Sequence, residues 1–163
     1  MDGERVERTE IAPSFLIHGT PLYNIPYIFK EKKIFPSLQG CVYAIDENLY
    51  FNYCKMYSGL DGAIIKFNTQ NCIVKANEKV NYVTKREYEI IPYVSLEDFE
   101  EVYFYIYGIK IITWDKTKIL EKELLFNKDY SFDWLNGMNL DNRFSKRRLS
   151  RQEIFRLYVD FVV

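Results

Sequence analysis

From residue 41 to residue 113 the chain is cut into short β-type runs by turn residues, and this pattern constrains the fold more than any other feature. Strands are expected at 41–45, 63–67, 72–76, 82–84 and 88–93, separated by Asn, Gly and Lys turns. Two further runs, 102–107 and 109–113, are divided by Gly108, and 95–99 has room for one helical turn before them. Upstream, Phe15, Leu16 and Ile17 form an apolar run bounded by Pro13 and Gly19, the pattern of a buried strand. Short strands without alternating helices predict an α+β fold with a mostly antiparallel sheet rather than repeated βαβ units.

Helices are expected at the two ends. Thr20 followed by Pro21 is a helix-start signature, and Leu22, Ile25, Ile28 and Phe29 then fall on one helical face. Pro26 interrupts that pattern, so the helix is either kinked there or begins there. Residues 47–57 read as a short helix capped by Asp46. Near the C-terminus, Ser150 and Glu153 have capping-box spacing, and Ile154, Leu157, Tyr158 and Phe161 share one face of the helix that follows. With 163 residues the chain makes one domain, residues 1–163, large enough to bury a core. Charge outnumbers apolar surface over residues 1–12, the composition of a flexible tail.

Charge and cysteine usage narrow the function classes. Lys and Arg number 22 against 23 Asp and Glu, a net charge of -1, whereas a domain that grips nucleic acid through its phosphates is expected to be basic. The basic group Arg143, Lys146, Arg147, Arg148 and Arg151 therefore reads as a solvated loop leading into the last helix. Cys41, Cys54 and Cys72 lack C-x-x-C spacing and read as reduced thiols packed in the core of a cytoplasmic protein. The charged start is not followed by a signal-peptide-like apolar run, and no stretch approaches the roughly 20 apolar residues of a membrane span. No membrane partner is expected, and the oligomeric state is left open. Trp114 and Trp134 read as core.

Histidine occurs once, at position 18, while aromatic residues reach 17% with 14 Tyr. One histidine excludes zinc sites that need two. Taken alone, His18 is a half-buried residue closing a strand. Its context is more informative: His18-Gly19-Thr20 ends one strand, Gly40 to Asp46 forms the next with Tyr43 inside it, Asn52-Tyr53-Cys54 follows, and Glu87-Tyr88-Glu89 begins a later strand. This ordered set resembles the catalytic domain of the poly(ADP-ribose) polymerase-like, or diphtheria-toxin-like, ADP-ribosyltransferases. That family carries H-G-S/T, then G-x-Y-F/A-x-D, then N-Y-C, then a glutamate that completes an H-Y-E triad. The resemblance spans about residues 14–107.

The resemblance implies a split, mostly antiparallel sheet flanked by short helices, with NAD bound as a substrate. His18 and Gly19 would meet the ribose and the nicotinamide amide, with Thr20 near the ribose. Tyr43 and Tyr53 would sandwich the pyridinium ring, since two aromatic faces attract a flat cation. A glutamate would hold the ribose 2'-OH and stabilise charge on the sugar as nicotinamide leaves. Glu87 and Glu89 point the same way on a strand. The E-x-E spacing of arginine-modifying relatives makes Glu89 the catalytic residue and Glu87 its acceptor-side partner, while the polymerase pattern of Glu followed by Tyr favours Glu87. Tyr50 stands where the family often has a serine.

The expected activity is NAD-dependent mono-ADP-ribosylation of a macromolecular acceptor, protein before nucleic acid, as in a toxin or host-modifying effector. The alternatives are a catalytically silent module of the same fold and an NAD glycohydrolase. The RNA 2'-phosphotransferase relatives rank last, because Tyr43 and the glutamate pair occupy the decisive places.

Overall fold

The computed structural model describes residues 5–7, 13–36, 40–46, 62–77, 87–106, 109–127 and 150–163. The fold is α+β. Ten strands are present among these residues: β1 (Arg5–Glu7), β2 (Phe15–Pro21), β3 (Lys33–Ile34), β4 (Val42–Ile45), β5 (Gly62–Asn68), β6 (Ile73–Asn77), β7 (Glu87–Ile91), β8 (Val94–Ser95), β9 (Phe99–Ile106) and β10 (Ile109–Trp114). Eight of them form one sheet in the order β1-β6-β7-β4-β2-β5-β9-β10, and β3 pairs with β8 in a second, two-stranded sheet. The pairings are antiparallel throughout, as the short, turn-separated strands predicted. The expected runs at 41–45, 63–67, 72–76 and 88–93 correspond to β4, β5, β6 and β7. The run expected at 82–84 and the helix expected at 47–57 lie outside the described residues, as does most of the 143–151 basic group. Within the expected tail, Arg5–Glu7 forms the edge strand β1 and pairs with β6.

Thr20 and Pro21 do not start a helix, because β2 continues through them against β5, pairing Thr20 with Ala63 and Pro21 with Gly62. A 3-10 turn at Leu22–Asn24 leads into α1 (Ile25–Glu31). Pro26 therefore falls in the first turn of α1, where a missing N–H costs no hydrogen bond. The helix ends at Lys32, which adopts the left-handed conformation with φ 61°. Gly40 enters β4 at φ 87°, a conformation that disfavours side chains even though a Cβ there would meet nothing.

Two helices close the chain. Helix α2 (Lys116–Asn127) was not expected from the sequence, while α3 (Arg151–Leu157) begins with the expected capping box: Glu153 N donates to Ser150 Oγ at 3.1 Å, and Ser150 N to Glu153 Oε1 at 2.9 Å. A π-helical turn at Tyr158–Val162 extends α3. No helix among the described residues is long and apolar enough to cross a membrane.

Alternation along the strands divides the sheet's two faces. One face carries Leu16, Val42, Ala44, Ile65, Phe67 and Phe104 and packs with Phe29 of α1, Ile119 of α2 and Leu157 of α3. The other carries a smaller cluster of Ile17, Ile45, Ile64 and Tyr105. Trp114 pins the C-terminal turn to the larger core: its ring lies 4.5 Å from that of Phe104 and 5.4 Å from that of Phe161, and Nε1 donates to Val162 O at 2.7 Å.

Candidate active site

Strands β2, β4 and β7 are consecutive in the sheet order, so His18, Tyr43 and the Glu87/Glu89 pair sit on three neighbouring strands. Between β4 and β7 the register is regular and places Tyr43 opposite Glu89 and Ile45 opposite Glu87. Between β2 and β4 the ladder has a single pair, Ile17 with Ile45, and does not continue to Gly19 and Tyr43. There a side chain replaces the ladder: His18 Nδ1 lies 2.7 Å from the Tyr43 carbonyl oxygen.

That bond fixes the state of the ring. A carbonyl oxygen can only accept, so Nδ1 carries the proton and Nε2 presents a lone pair. Protein atoms crowd the imidazole and lower its pKa from 6.5, with the Tyr43 carbonyl pulling weakly the other way. His18 is therefore neutral near pH 7. In this geometry Nε2 is available as an acceptor.

A cleft of about 190 Å³ opens beside this bond, with His18, Thr20, Asn24, Tyr27, Phe35 and Tyr43 among its lining residues. Thr20 is buried and accepts from Asn24 Nδ2 at 3.1 Å. Sites that enclose drug-sized ligands measure about 300–1,000 Å³. This cleft is smaller than that. Asn24 and Tyr27 were not singled out from the sequence. Their signal was the 3-10 turn that Thr20 and Pro21 introduce, which aims the start of α1 at the strand ends.

The glutamates stand apart from the cleft lining. Ile17, Ile45, Tyr43 and Glu89 share one face of the sheet by register and alternation, and Leu16 and His18 share the other. Glu89 is fully buried and accepts from Cys41 Sγ at 3.3 Å. Glu87 is half-buried, two residues away on the same face. The Tyr43 phenol belongs with this group. Its pKa is pushed up to about 12, first by burial, then by a hydrogen bond with the Cys41 side chain and by the nearby Glu89 and Glu87. Tyr43 thus joins the two halves, its main chain held by His18 and its phenol facing the carboxylates. Gly19 pairs with Ile64 within β2 and β5. Tyr53, expected to face Tyr43, lies outside the described residues. Among the described residues, no three His, Cys, Asp or Glu side chains gather as a metal site requires.

No protein-family model matches the chain, and no curated protein matches it.

Proposed function

We propose that the protein is an NAD-dependent mono-ADP-ribosyltransferase, acting in the cytoplasm on a macromolecular acceptor, as a toxin or effector does. The observation that carries this reading is the linkage through Tyr43: His18 bonds to its carbonyl oxygen at 2.7 Å, and Glu89 lies opposite it in register on the next strand. The interrupted β2–β4 ladder supports the split sheet of the resembling family. The unbridged thiols of Cys41 and Cys72 agree with a cytoplasmic setting.

In the reaction, the bond between the ribose C1' and the nicotinamide nitrogen breaks. Its electron pair goes to the ring and neutralises the pyridinium. The acceptor then bonds to C1' and gives its proton to solvent. His18 Nε2 accepts from a ribose hydroxyl, Gly19 and Thr20 border the nicotinamide and its sugar, and Tyr43 stacks on the ring with Tyr53 as its partner. Glu89 holds the 2'-OH and faces the positive charge that develops on the sugar, with Glu87 on the acceptor side. If water is the acceptor, the same steps make the protein an NAD glycohydrolase.

One observation favours a second reading, a catalytically silent module that binds a nucleotide or protein: Glu89 is sealed under Cys41 and does not line the cleft. Incubation with NAD labelled in its ADP-ribose half, together with a cell lysate, separates these readings. Label on protein is expected. Label on RNA or DNA would change the acceptor, free labelled ADP-ribose would identify the glycohydrolase, and unaltered NAD bound in calorimetry would establish the silent module.

A further inference from the structure

We infer that Cys41 is the positioning residue for Glu89, an assignment that rests on the transferase reaction proposed above. The sequence marked Cys41 as core filling. In the structure its thiol does two things: Sγ donates to Glu89 Oε1 at 3.3 Å, and the residue lines the cleft beside His18 and Tyr43. Cys41 and Glu89 are 1% and 0% exposed, so water does not compete for that contact. Strand geometry explains the meeting. Glu89 stands opposite Tyr43, and Cys41 is two residues before Tyr43 on the same side of the chain, a diagonal neighbour within reach of a long side chain.

Tyr43 is across from Glu89 on β4, Lys75 is across from it on β6, and Glu87 shares its face on β7. Cys41 both lines the cleft and donates to Oε1. A thiol is a weak donor. It fixes the rotation of the carboxylate while yielding readily to a stronger donor, such as a ribose hydroxyl. Losing the thiol therefore loosens the orientation of Glu89.

The test compares wild type, Cys41→Val, which keeps the shape without a donor, and Cys41→Ser, which keeps a donor. First, the infrared S–H stretching band of Cys41 is compared between wild type and Glu89→Gln, a measurement that needs no turnover. A shift in the band is expected, and an unchanged band overturns the contact. Second, the steady-state kinetics of nicotinamide release from NAD are followed. Cys41→Val is expected to lower kcat about tenfold, the loss of one hydrogen bond to the carboxyl group, and to leave KM for NAD unchanged. Cys41→Ser is expected to restore most of the rate. Wild-type turnover with an unaffected Cys41→Val, or a Cys41→Ser that behaves as Cys41→Val, overturns the role of Cys41 while the transferase reading stands. A folded wild type without turnover overturns both.

Discussion

His18 donates its Nδ1 proton to the Tyr43 carbonyl oxygen at 2.7 Å, across a ladder that pairs only at Ile17 and Ile45. The bond gives the sole histidine a structural job. It satisfies a backbone oxygen that the interrupted ladder leaves over, and it turns Nε2 into an acceptor at the cleft.

Replacing that donor should cost stability as well as ligand affinity. His18→Phe keeps an aromatic ring but leaves the Tyr43 oxygen without this proton, a loss of about 1–3 kcal/mol. Urea unfolding measures it. A midpoint equal to wild type would mean that the bond contributes nothing to the fold.

The same residue sets a pH dependence whose sign is fixed. The folded-state pKa of His18 lies below 6.5, so the unfolded chain takes up a proton first as the solution is acidified. The stabilisation is complete above pH 6.5 and is lost as the pH falls below it. Because the chain has one histidine, no other imidazole contributes in this window. Unfolding free energy measured at about pH 7.5 and about pH 5.5 should fall for wild type and fall less for His18→Phe. Equal slopes would show that burial does not perturb this ring.

The C-terminal turn offers a third check. Trp114 is fully buried, and its indole donates to Val162 O at 2.7 Å. Trp114→Phe removes that donor and opens space among Phe29, Phe104 and Phe161, with an expected loss of about 2–4 kcal/mol in denaturant unfolding. A loss below about 1 kcal/mol would mean that the turn is held from elsewhere.

Ser150→Ala removes half of a capping box that the sequence already marked. Its expected cost is about 1 kcal/mol, read as a lower thermal midpoint. No change would show that α3 is held by packing alone.

The strands and this cap were readable because each depends on local chemistry: β-branched and aromatic runs, turn residues, a hydroxyl three places before a glutamate. Helix α2 was not. Its buried Ile119 and Lys122 alternate with exposed Leu120 and Leu124, so no apolar stripe shows along it. Its one local signal is Asp115, whose Oδ1 accepts from Lys118 N at 2.9 Å. The strands β3 and β8 are two residues each and arise from tertiary pairing that no periodicity records. At the site, the motif order singled out His18, Tyr43 and Glu89, but not which face of the sheet each would take. That depends on the register in which β2 meets β4, Ile17 opposite Ile45, a long-range property. It is why the sequence suggested one cluster and the structure has two halves joined at Tyr43.

The central claim is that Tyr43 links an NAD-binding histidine to a catalytic glutamate, and nicotinamide release from NAD tests it most directly. Purified wild type, Glu89→Gln and Glu87→Gln are compared under identical conditions. The account expects release by wild type, a fall of about a hundredfold or more in Glu89→Gln, and a smaller effect in Glu87→Gln that grows when an acceptor is present. Full activity in both glutamine variants would contradict it.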